Sequence, residues 1–179
     1  SEPRALADFK AFLAAHDLYV FTINGFPYGP FHGTRVKDDV YRPDWRDPAR
    51  LDYTNRLADL LAQLLPPGLD CPGSVSTVPG AFKAHATGPE AVPLIVEQLL
   101  CHAAHLVSLE RATGRCIVLA LEPEPCCLLE TVDETVRFFR QHLLSAAAAA
   151  RLASLAGLDV ATAATALRRH LGVCLDLCH

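Results

Sequence analysis

The chain has 179 residues, 51% of them apolar, and a formal net charge of -4, which allows one domain with a core of its own and excludes a disordered chain. Its Lys and Arg residues are scattered with no long basic run, so a partner held through its phosphate backbone, DNA or RNA, is disfavoured. The apolar run Ala146 to Ala150 is too short to span a bilayer and is followed by Arg151, so no membrane insertion is expected.

Residues 1–15 are charged and amphipathic, unlike a signal peptide, and the cytoplasm is the expected location. The seven cysteines are odd in number and form no paired C-x-x-C arrangement. They read as small buried apolar residues in a reduced compartment, with one of Cys126 and Cys127 a candidate for lining a cavity. The chain has no Met and stops directly after an apolar run, which points to a segment of something longer.

In chain order, Leu6, Phe9, Phe12 and Leu13 lie at helical spacing over residues 3–15. Leu18 to Asn24 is β-branched and aromatic and predicts a strand. A loop rich in Gly, Pro and aromatics follows from Gly25 to Arg46. Asp47 is an N-cap candidate with Pro48 at the first helical position. Leu51, Leu57, Leu60, Leu61, Leu64 and Leu65 give the next helix an apolar face that Pro66 and Pro67 end.

Ser74 to Val78 predicts a short strand. Val92, Ile95, Val96, Leu99, Ala103, Leu106 and Leu109 mark a helix that Gly114 terminates. Cys116 to Glu122 is the clearest strand. Thr131 and Glu134 match a capping box, Ser145 and Asp159 are N-cap candidates for two more helical pieces, and Gly172 to Leu177 is the last strand. Strands alternating with helices predict an α/β fold of parallel βαβ units in a single domain over residues 1–179.

Strand parity carries the functional reading. Side chains alternate between faces. Ile117, Leu119 and Leu121 share one face of the clearest strand, and Cys116, Val118, Ala120 and Glu122 the other. In the last strand Val173, Leu175 and Leu177 oppose Gly172, Cys174 and Asp176. In the first, Tyr19, Phe21 and Ile23 oppose Leu18, Val20, Thr22 and Asn24. Each bulky face is expected to pack on helices. Each slimmer face ends in a group able to bind something, which fits a barrel interior better than a doubly wound sheet. A carboxylate at the end of a buried strand is costly unless paired, protonated or bound to metal. Glu122 and Asp176 are therefore expected to share a divalent cation. The bland alternative is a pair of N-cap or loop-anchoring acids.

Ile117-Val-Leu-Ala-Leu-Glu122 and Gly172-Val-Cys-Leu-Asp176-Leu-Cys-His179 resemble the xylose isomerase-like superfamily of TIM barrels, which holds sugar isomerases, sugar epimerases and endonuclease IV-type repair enzymes. Leu18 to Gly33, Ser76 to Gly80 and Leu121 to Glu130 resemble the ebo-cluster metabolite traffic proteins of type E more closely. The resemblance implies a (β/α)8 barrel seen in part, as about four parallel strands with their helices. Its Glu and Asp ligands carry over to Glu122 and Asp176. Its His carries over to His179, a metal ligand in one branch and a substrate contact in the other. The nuclease branch has a His where Val78 stands, and its other early His falls near Asn24, so a three-metal nuclease centre is disfavoured.

The resulting expectation is a divalent-metal isomerase or epimerase (Mn, Zn, Mg or Fe) acting on a sugar, sugar phosphate or related small metabolite. Glu122, Asp176 and His179 hold the metal, Glu122 acts as base and His179 orients substrate. Asn24, Tyr28 and His32 on the first βα loop, with Glu124 and Lys83, contact substrate, and Arg35 is a further candidate for an anionic group. A metal-dependent phosphoesterase and a non-catalytic metabolite carrier are the rival readings, and self-association is left open.

Overall fold

The computed structural model describes residues 3–28 and 40–178. Its elements follow the order α1 (Pro3–Ala15), β1 (Thr22–Asn24), α2 (Pro48–Leu64), β2 (Gly73–Thr77), α3 (Ala91–Thr113), β3 (Ile117–Leu121), α4 (Val132–Phe138), α5 (Ala146–Ala156), α6 (Val160–His170) and β4 (Leu171–Val173). A π-helical turn, Phe139–Leu143, continues α4.

The local signals that start and stop the helices act as their chemistry requires. Asp47 accepts from Ala49 N–H at 2.9 Å ahead of Pro48, Ser145 from Ala148 at 3.1 Å and Asp159 from Thr162 at 2.9 Å. Each satisfies a backbone donor that has no partner inside its helix. Thr131 and Glu134 form the capping box. Gly114 ends α3 with φ 69°, a left-handed conformation that a side chain would strain.

The four strands form one parallel sheet in the order β1-β2-β3-β4. Thr22, Ser74 and Val118 lie in one row, and Asn24, Ser76, Ala120 and Gly172 in another. Spatial order follows chain order without reversal. Right-handed crossovers that step in one direction place their helices on one face of the sheet. Burial agrees: Val75 and Thr77 of β2 and Ile117, Leu119 and Leu121 of β3 are shut off from solvent, while Ser74, Ser76, Val118 and Ala120 between them are half-exposed. The fold is therefore α/β with a one-sided parallel sheet. Among the described residues the sheet is open, with β1 and β4 at its edges.

The core lies between the sheet and the helices α2, α3, α5 and α6. Leu61, Ile95, Leu99, Leu106, Leu119, Leu152 and Leu167 are buried there, each contributing about 1.5–3 kcal/mol by leaving water. The helix α3 is long and apolar enough to cross a membrane by length and composition, and it packs against α2, α5, α6 and β3.

Several sequence expectations fail at the sheet's edges. The first strand is confined to Thr22–Asn24, and Tyr19 and Phe21, expected against helices, are 55% and 50% exposed. An edge strand pairs on one side only, and α2 makes few contacts with it. Phe9 and Phe12 of α1 are likewise exposed, and Leu13 is its buried residue. The last strand starts one residue early, at Leu171, and ends at Val173, so Asp176 stands beyond the strand rather than on it. Val173, Leu175 and Leu177 are exposed, since no described helix follows to cover them. Of the cysteines, only Cys127 is buried; Cys101, Cys116 and Cys174 are half-buried.

Candidate functional site at the carboxyl ends of the strands

The open face of the sheet is small and polar. Ser74 Oγ donates to Thr22 Oγ1 at 2.8 Å, and Ser76 Oγ donates to Asn24 Oδ1 at 3.1 Å. Asn24 Oδ1 also accepts from Phe26 N–H at 3.0 Å, so this side chain turns the chain out of β1. Gly25 then passes so close to β2 that a Cβ would lie 2.7 Å from Ser76 O. Its N–H donates to that oxygen at 3.0 Å, extending the ladder by one bond. In the same row Ala120 and Gly172 leave the surface shallow.

Two residues further on, that alternation brings up Glu122 and Cys174. Glu122 N–H donates to Thr77 O at 3.0 Å and Cys174 N–H to Leu121 O at 2.9 Å, so both continue the ladder just past their strands. The Cys174 thiol is raised above its ordinary pKa by burial, then by the charges of Glu122 and Asp176. Both carboxylates thus act on one thiol. Asp176 reaches the position from a turn in which its Oδ1 accepts from Cys178 N–H at 2.8 Å. The sequence reading grouped Cys174 with Asp176 by parity but took it as a buried filler.

The loops at this end of the sheet carry an aromatic wall. Tyr41 lies edge-on to Phe26 at 5.6 Å and stacks on Phe82 at 5.3 Å. Its hydroxyl shares a hydrogen bond with the buried Cys127 thiol. Burial, then the neighbouring Cys127 and Glu124, push Tyr41 up to about 12. Cys127 is pushed up to about 12 by burial, with Glu124, Cys126 and Glu130 adding to it and the Tyr41 hydrogen bond opposing it. Both groups keep their protons at neutral pH. Glu124 is half-buried at this wall, its carbonyl accepting from Cys127 N–H at 3.1 Å. The aromatic-rich loop from Gly25 to Arg46 holds both Phe26 and Tyr41, and Cys127 belongs to the cysteine pair of which one is expected to line a cavity, but Phe82 lies far from them in sequence and nothing local links the three segments.

The loops after β2 and β3 join through a bridge between Phe82 and Cys127. Lys83, expected to meet substrate, instead fastens this junction: its Nζ donates to Glu130 and, at 3.1 Å, to Glu134. Tyr28 is exposed, edge-on to Tyr53 at 5.0 Å, with the Arg50 guanidinium 5.8 Å above its ring. Arg50 itself is fully buried and donates to the carbonyls of Pro43, Gly25 and Phe26, which holds the loop that carries Tyr28. Burial lowers Arg50 to about 10, so it stays charged at neutral pH.

The described residues set Glu122 and Cys174 just past adjacent strands with Asp176 two residues further on, but do not gather their ligand atoms into one metal-sized group. Asn24 lies with Ser76 on the same face, and Glu124 acts on Tyr41. His32, Arg35 and His179 lie outside the described residues. A geometric group of three metal-ligating side chains does occur among the described residues, but at the opposite end of the strands, formed by Glu110, Cys116 and His170. No protein-family profile, curated protein or solved structure matches the chain.

Proposed function

We propose that this chain is part of a (β/α) barrel of the xylose isomerase-like kind, holding a divalent cation at the carboxyl ends of its strands. In this reading it works as an isomerase or epimerase on a small polyhydroxylated metabolite, a sugar or sugar phosphate, in the cytoplasm. A one-sided parallel sheet with neighbours in chain order is what consecutive strands of such a barrel look like. The observation that supports the function is that Glu122 and Cys174 continue the ladder just past adjacent parallel strands, with Asp176 in the turn two residues further on.

The donor types suit a cation. A divalent ion would relieve the repulsion between two carboxylates drawn to it. Carboxylate oxygens suit Mg or Mn, and the half-buried Cys174 thiol, were it to join them, would move the preference towards Zn or Fe. Glu122 and Asp176 would hold the ion, with His179 joining them if the family resemblance extends that far. Such an ion, when bound, acidifies the C–H beside a substrate carbonyl by drawing electron density from that carbonyl.

The remaining work falls to side chains of this chain. Glu122 would accept the proton from that carbon and return it. Asn24 and Ser76 offer an amide and a hydroxyl to substrate hydroxyls along the open face. The Tyr41–Phe82 wall gives the apolar face of a sugar ring a surface to lie on and keeps water from that side.

The test is metal analysis together with solvent exchange. The wild type is expected to retain one divalent ion that depends on Glu122 and Asp176, and to wash solvent deuterium into the carbon next to the carbonyl of a substrate from a ketose and ketose-phosphate panel. Glu122→Gln and Asp176→Asn are expected to weaken metal binding about tenfold or more while keeping the fold. An abasic DNA duplex is expected to stay uncut, because the nuclease-branch His position holds the fully buried Val78. A wild-type protein that binds no cation at this end would overturn the reading. Metal retention with no exchange on any substrate would remove the enzymatic part and leave a carrier.

A further inference from the structure

The amino-terminal end of the same strands carries a second group of donors. His170 closes α6 and is 1% exposed. Its Nδ1 lies 2.8 Å from Ile117 O. A carbonyl oxygen only accepts, so Nδ1 carries the hydrogen of the neutral ring. The other ring nitrogen, Nε2, lies 3.2 Å from Glu110 Oε2. An ionised carboxylate also only accepts, so two lone pairs would face each other across that gap. Something positive must stand between them, either a second proton on the ring or a metal ion.

The third donor separates these choices. Cys116, which directly precedes Ile117, brings its Sγ within 4.8 Å of both the Glu110 and His170 donor atoms. A proton shared by histidine and glutamate has no use for a thiol, whereas a metal has. Two ligands about 2.1 Å from a tetrahedral zinc stand about 3.4 Å apart, against the observed 3.2 Å. Zinc-ligating histidines also commonly donate their remote N–H to a backbone carbonyl, which orients the ring. Arg169 donates to both oxygens of Glu110, at 3.0 and 3.1 Å from Nε. A carboxylate has room for about four such interactions, so the arginine does not exclude an ion.

We propose that Glu110, Cys116 and His170 form a binding site for a thiophilic divalent ion of the zinc class, separate from the centre at Glu122 and Asp176. Cys116 also lines a cleft of about 580 Å3, together with Arg169 and with Asp70 and Cys71 from the approach to β2. The site ties the end of α3 to the junction of α6 and β4, where those elements enter the sheet. One ion there would brace two crossovers, β2 to β3 and β3 to β4.

Cobalt(II) titration of the whole chain tests this, since a cobalt–thiolate bond gives a charge-transfer band in the near ultraviolet that carboxylate and imidazole do not. The wild type is expected to bind one equivalent with that band. Cys116→Ser, with an unchanged circular dichroism spectrum, is expected to lose it at least tenfold. The band is expected to survive in Cys174→Ser and in the Glu122→Gln, Asp176→Asn double variant, which separates this site from the other. No thiolate band in the wild type, or an undiminished band in Cys116→Ser, would overturn the proposal. A band lost in Cys174→Ser instead would assign the metal to the carboxyl end alone.

Discussion

Trp45 donates its indole N–H to Thr77 Oγ1 at 3.1 Å, and neither residue is exposed to solvent. Thr77 ends β2 and Trp45 belongs to the loop between β1 and α2, whose backbone also donates at Trp45 N to Gly80 O at 3.0 Å. The bond therefore locks that loop against the strand ends that frame the candidate site. Thr77→Val keeps shape and removes the acceptor, leaving a buried N–H without a partner. It is expected to cost about 1–3 kcal/mol in urea denaturation, whereas Thr77→Ser retains the bond and costs less. Equal midpoints for wild type and Thr77→Val would show that the indole finds another acceptor.

His102 makes stability depend on pH just below neutrality. It lies fully buried on α3, with Nδ1 2.6 Å from Asn55 Oδ1 on α2 and its ring 5.9 Å from Trp45. Nε2 is buried without a hydrogen-bond partner. Burial, then the nearby His105 and His170, lowers the group to about 3. The folded state keeps this ring neutral while the unfolded state protonates near its ordinary pKa of about 6.5. The stabilisation is complete above that value and is lost progressively as pH falls towards about 3. Thermal melts from pH 8 to pH 5 are expected to show a falling midpoint. His102→Gln should flatten that fall, and a wild type with a level midpoint over this span would contradict the assignment.

Glu134 acts in a more acidic window. Its carboxylate accepts from Thr131 N–H at 3.0 Å and from Glu130 N–H at 3.1 Å and pairs with Lys83. The Thr131 amide first, and then Lys83, hold it down to about 2. A depressed carboxylate stabilises the fold above its ordinary value of about 4.3 and loses that contribution as pH falls towards about 2. Glu134→Gln is expected to lower the melting midpoint at pH 7 and to bring it level with the wild type near pH 2. High salt should narrow the difference, because the Lys83 pairs are exposed and screened. A difference that persists unchanged at pH 2 would mean that packing, not charge, is what Glu134 supplies.

Helix boundaries were legible because they rest on neighbours within a few residues. Asp47 with Pro48, the Thr131–Glu134 box, Ser145, Asp159 and Gly114 each satisfy or release a backbone group next to themselves, so short-range chemistry suffices. The alternation in Cys116 to Glu122 was legible for the same reason, since a pleated strand with one face on a core has a two-residue period. Edge segments were not. Leu18 to Phe21 and Leu175 to Leu177 have strand-like residues, yet pairing requires a partner strand and cover requires a helix, and neither depends on the segment itself.

The sites divide along the same line. Glu122 could be named as a candidate because parity and position at a strand end are properties of a short stretch, whereas Asp176, expected on the last strand, lies beyond β4, where parity no longer applies. Lys83 could not be assigned in that way: its two acids lie 47 and 51 residues on, and only the folded loops bring them to it. Nor could Glu110, Cys116 and His170, which α3, the start of β3 and the end of α6 deliver to one point. By itself the sequence settled the kinds and order of elements, the capped helix ends and the face that each central strand turns to the core, because these follow from backbone hydrogen bonding and local periodicity. The tertiary structure decided which strand ends are neighbours, which charges meet and which apolar residues stay exposed. Those outcomes depend on side chains that come close only after the crossovers have closed.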